Sequence, residues 1–218
     1  MTHPLGNSRF DQTALFRIAF CLSLFTIAAN IVEGLVSMYF GAQDETLALF
    51  GFGVDSFIEV ISAAGIAQMI LRIWRNPASP RSRFEVTALR ITGAAFYLLA
   101  AGLAVGAGVN LALGNRPETT SWGIVISLIS ISVMTGLVWA KRAVGRRLGS
   151  APILADANCT LVCIYMSLML LASSVLVTIT GLGFLDSLGA LGLAWLSLRE
   201  GREAFEKARG RECACEEE

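Results

Sequence analysis

Apolar residues gather in six long blocks, about 14–40, 46–74, 84–113, 122–140, 151–179 and 184–205. At 1.5 Å per helical residue, ~20 apolar positions cross a bilayer. The sixth block is apolar as far as Leu198 and then continues as a polar helix, REGREAFEKARG, that leaves the bilayer. Membrane strands would instead alternate over ~10 residues. Short connections separate the blocks: GAQDE, RNPASPRSR, GNRPETTS, KRAVGRRLGS and TGLG. Proline and glycine break the pattern there, and no connection holds a soluble domain. The pattern predicts an all-α polytopic membrane protein. A six-helix transmembrane bundle occupies 1–205, and a short charged tail occupies 206–218.

Composition agrees: 55% of residues are hydrophobic, 16% are charged, and mean hydropathy is +0.64. That is not an ordinary soluble domain. A formal net charge of zero points to no nucleic-acid partner. The opening MTHPLGNSRFDQ lacks the apolar run and cleavage site of a signal peptide, so the first block reads as a retained span. Charge placement sets the orientation. Sixteen of the seventeen Lys and Arg flank the same side of the spans, and Arg116 alone lies opposite. By the positive-inside rule both termini are cytoplasmic.

Ionisable residues inside the spans are few. A charge at mid-bilayer costs ~2.5–3.5 kcal/mol on insertion scales. Span one holds Glu33, span two holds Asp55 and Glu59, span five holds Asp156, and Asp186 begins span six. Asp55 and Glu59 stand four apart in FGVDSFIEV, on one helical face. Like charges so placed repel unless protons or a cation neutralise them. No Lys or Arg lies in the middle of a span, which leaves protonation or a bound metal ion.

Span five supplies the matching half. ILADANCTLVC places Asp156, Cys159 and Cys163 at i, i+3 and i+7, again one face. A lone membrane cysteine such as Cys21 reads as a small hydrophobe, but two at i, i+4 beside an aspartate suggest ligands. Glu59 lies about 22 Å from the inner end of its span, against about 12 and 18 Å for Cys159 and Cys163. The levels agree within about one turn, and the antiparallel arrangement predicts Asp55 level with Cys163 and Glu59 level with Cys159. Two oxygens and two sulfurs from facing i, i+4 pairs can make a tetrahedral zinc set. Thiolates also favour softer ions such as cadmium, mercury or cuprous copper.

Other features carry less. Asn30 and Glu33 either line an ion path and accept protons or bond between helices. Asp156 reads either as a residue at the ion entry or beside the ligands, or as a polar contact on the cytoplasmic side, and Asp186 as a helix N-terminal residue. Cys213 and Cys215 in RECACEEE could capture soft ions for the pore, or belong to a solvated tail. Five cysteines at these spacings make no disulfide framework. Gly102 and Gly106 form a G-x-x-x-G that suits a close helix contact within a monomer or across a dimer.

At the paired motifs the chain resembles the cation diffusion facilitator family of metal transporters. TLALFGFGVDSFIEV falls on the family's small-residue stretch in span two, with Asp55 and Glu59 at its two ligand positions. APILADANCTLVC falls on the family's LADA-type stretch in span five. Cys159 stands where His is usual, and Cys163 where Asp is usual. The likeness is to the short form, six spans with no C-terminal cytoplasmic domain. The resemblance implies export of a divalent metal ion from the cytoplasm by alternating access, commonly in exchange for protons, and a homodimer. Zinc is the usual ion. The cysteines bring cadmium and other soft metals into view, beside cobalt, manganese and iron.

The reading is therefore a multi-pass transporter of a bacterial inner (plasma) membrane, not an enzyme, with metal ion, protons and lipid as partners. The metal is cargo and no cofactor is expected. Two rival readings stay open: a metal-binding or regulatory membrane protein that does not transport, and a proton-coupled carrier of a small organic cation.

Overall fold

The computed structural model describes residues 7–44, 46–76, 83–114 and 120–210. Six helices follow one another: α1 (Asn7–Gln43), α2 (Leu47–Arg75), α3 (Arg83–Leu113), α4 (Ser121–Leu148), α5 (Ala151–Thr180) and α6 (Phe184–Ala208). There is no strand among the described residues. Pro152 sits in the first turn of α5, where its missing N–H costs nothing. Gly149 and Gly181 stop α4 and α5 in the left-handed conformation that glycine adopts freely, with φ of 58° and 68°.

Helices α1 to α5 are long and apolar enough to cross a membrane. Helix α6 is 25 residues long but falls short of the same apolarity, because its second half is charged. Large apolar side chains such as Val32, Leu98, Trp139 and Ile179 face outward. That is the outer surface of an all-α membrane bundle, in which each helix satisfies its own backbone.

The chain is an integral multi-pass membrane protein built from three tight helix pairs, α1 with α2, α3 with α6, and α4 with α5. Pairs α1/α2 and α4/α5 join through α1–α4 and α2–α5 into a four-helix unit. Pair α3/α6 lies against α2 and α5. Small residues allow each close approach. A Cβ on Gly53 would stand 2.7 Å from the Met38 amide nitrogen and 3.0 Å from the Gly34 carbonyl oxygen. Gly93 and Gly201 face each other in the same way across α3 and α6. In the predicted G-x-x-x-G, Gly106 packs on Leu47 while Gly102 meets nothing within 4 Å. The main core joins Leu49 and Phe52 of α2, Phe96 and Leu103 of α3, Met166 and Leu170 of α5, and Leu193 of α6.

Candidate metal site

The site is built where α2 faces α5. Asp55 is 2% exposed, and its Oδ1 has no hydrogen-bond partner among the described residues. One turn on, Glu59 Oε1 accepts a hydrogen bond from Cys163 Sγ at 2.5 Å. The two helices thus bring one oxygen and one sulfur donor into direct contact, bridged by the thiol proton. A tetrahedral ion bonded to both would hold S and O roughly 3.6 Å apart, given bonds near 2.3 and 2.1 Å.

Cys159 lies one turn from Cys163 and faces a different partner. Lys207 Nζ of α6 donates to Cys159 Sγ at 3.2 Å and is paired with Glu203 at 2.7 Å. Burial works against the Lys207 charge, but Cys159 and Glu203 outweigh it and hold the ammonium pKa above the ordinary lysine value. Among the described residues no three His, Cys, Asp or Glu side chains are gathered to hold one ion. The arrangement is a Glu59–Cys163 pair, a buried Asp55 beside it, and a Cys159 held by Lys207.

This corrects the predicted levels: Glu59 meets Cys163, not Cys159. Sixteen residues separate Glu59 from the end of α2, and twelve separate Cys163 from the start of α5. Helix α2 therefore reaches about one turn further past the site than α5, the same offset that the depths counted along the spans carry.

A polar belt surrounds the pair. Ser56 donates to Glu33 Oε1 of α1 at 3.1 Å, so Glu33 does make a helix–helix hydrogen bond. Ser130 of α4 belongs to the same belt. Ser167 of α5 meets Ser130 at 2.9 Å and donates to the Cys163 carbonyl oxygen at 2.8 Å. Asn30 is fully buried, with neither side-chain amide atom partnered among the described residues. Both Glu33 and Glu200 of α6 act electrostatically on Asp55 and Glu59. Sequence reasoning missed Glu200, having placed it in the polar extension of span six. The signal was its spacing: Glu200, Glu203 and Lys207 recur at i, i+3 and i+7, one helical face.

Asp156 is held in a buried ion pair. Lys141 Nζ of α4 donates to Asp156 Oδ1 at 3.0 Å and to Thr160 Oγ1 at 2.9 Å, with the lysine 2% exposed. Asp186 stands in the first turn of α6 as predicted, but it serves α2. Its carboxylate accepts from the Leu47 and Ala48 amides at 2.9 and 3.3 Å. Cys21 is exposed, and Cys213 and Cys215 lie outside the described residues.

Six helices, five of them long and apolar enough to cross a membrane, make this an all-α membrane protein that buries acids on α2 opposite thiols on α5. The family model described as Cation efflux transmembrane domain matches residues 22–209, so the chain belongs to the cation efflux family and is a cation transporter. No curated protein matches it.

Proposed function

We propose that the protein exports a divalent metal ion from the cytoplasm by alternating access, exchanging it for protons. Asp55, Glu59, Cys159 and Cys163 are the ligands. The observation that carries this reading is the Glu59–Cys163 contact across α2 and α5, with Asp55 buried and one oxygen unpartnered one turn away. Thiol and carboxyl ligands must lose their protons to bind a metal, so loading releases protons and protonation releases the ion. The mixed oxygen and sulfur set suits zinc and extends to softer ions, cadmium first. The basic end of the bundle is the cytoplasmic side, with both termini there, and the working unit is a homodimer.

The test is flux of zinc, cadmium, cobalt, manganese and ferrous ions in proteoliposomes holding the full chain. Asp55→Ala is expected to abolish flux, and internal pH is expected to fall as ions leave against protons. Flux unchanged by Asp55→Ala together with Cys163→Ala would sink the site. Tight binding without flux would instead favour the non-transporting reading.

A further inference from the structure

Lys207 touches side chains of two different kinds. Glu203 lies one turn back on its own helix, at 2.7 Å, while Cys159 belongs to α5, at 3.2 Å. An ammonium carries three N–H donors and no acceptor, so it cannot ligate a metal itself. A sulfur that accepts from this ammonium is not open to a metal ion, because the two cations repel at that range. We propose that Lys207 is a tethered cation that competes with the transported ion for Cys159, releasing the sulfur and keeping Glu203 when the ion binds. This rests on the assignment of Cys159 as a ligand made above.

Three observations support it. The four-carbon lysine stem is flexible enough to withdraw from one partner without moving its helix. Glu203 precedes Lys207 by four residues, the favourable order for a pair on one helix, so the released ammonium stays neutralised. Cys159 is also eight residues from the start of α5, against twelve for Cys163. An ion arriving from the basic end therefore meets Cys159 first, and displaces Lys207 before it reaches Glu59 and Cys163. Lys207 is thus a positioning residue: it lowers the affinity of the empty carrier and speeds release by returning to the sulfur.

The test measures cadmium binding to the full chain in detergent and cadmium flux in proteoliposomes. Lys207→Met is expected to bind cadmium at least about tenfold more tightly, the size of one hydrogen bond to a charged group. KM and kcat should fall together. Lys207→Arg, which keeps the charge, is expected to restore the wild-type values. In a Cys159→Ser background, Lys207→Met is expected to change affinity by less than about twofold, since the shared partner is gone. Glu203→Gln provides a second variant that keeps the lysine; it should weaken cadmium binding by removing the partner that stays. Unchanged affinity in Lys207→Met, or an equal change with and without Cys159, overturns the proposal while leaving the ligand set standing. If Cys159→Ser alone leaves cadmium binding unchanged, the ligand assignment falls and this proposal with it.

Discussion

Lys141 of α4 reaches Asp156 of α5 at 3.0 Å, with their side chains only 2% and 6% exposed. The same ammonium donates to Thr160, which itself donates to the Asp156 carbonyl oxygen at 3.1 Å. Removing one partner of such a pair leaves a buried charge without compensation, at a cost of about 3–5 kcal/mol. Lys141→Met is therefore expected to lower the thermal midpoint of the solubilised protein. The double variant Lys141→Met with Asp156→Leu should recover most of the loss. A double variant no more stable than the single one would show that the pair is not the origin of the effect.

Glycine at the α1–α2 seam predicts a contrast between two alanine substitutions. Gly53→Ala places a methyl 2.7 Å from a main-chain nitrogen, where no side chain can yield. Overpacking of this kind costs about 1–3 kcal/mol. Gly102→Ala meets open space and should change stability by no more than about 0.5 kcal/mol. Unfolding in detergent, monitored by circular dichroism, reads both.

Asp186 joins the start of α6 to the start of α2 through two backbone amides. Asp186→Ala leaves those amides without their acceptor, and losing such partners costs about 1–3 kcal/mol. Faster hydrogen exchange is expected at Leu47 and Ala48, with the middle of α2 unaffected. Uniform exchange along α2 would argue against a local cap.

Ligand softness predicts how selectivity moves. Cys163→Ser replaces a sulfur with a harder oxygen while keeping a donor, now a hydroxyl, for Glu59. Cadmium flux is expected to fall more than manganese or cobalt flux in the same vesicles. A proportionate fall for all ions would place Cys163 outside the set that contacts the ion.

Much of the fold was legible because membrane helices announce themselves by length and apolarity, and the six blocks became six helices. The buried face carrying Asp55 followed from i, i+4 spacing alone. What stayed hidden were charges near span ends. In the sequence Lys141 and Lys207 count as markers of orientation and Glu200 falls in a polar extension, because a charged run beside a span normally faces water. In the structure α4 continues to Leu148, and Lys141 shares its inward face with Met134, Leu137 and Val144. That i, i+3, i+4 recurrence was present in the sequence and would have marked the lysine as buried. The one-turn offset between α2 and α5 was legible as well: depths of about 22 Å for Glu59 and 18 Å for Cys163 place these two closest.

The glycine seams bear on how the molecule can move. Between Gly34 and Gly53, and between Gly93 and Gly201, main chain rests on main chain. Peptide units have no rotamers, so such a joint cannot loosen by small adjustments. Opening it would give up the close backbone packing that holds helices together in lipid. Conformational change is therefore expected to spare these joints and to run through those made of side chains, Glu59 on Cys163 and Lys207 on Cys159. Both of these end on α5, so an ion gripped there would ride on the sliding surface of the machine, not inside one of its fixed parts.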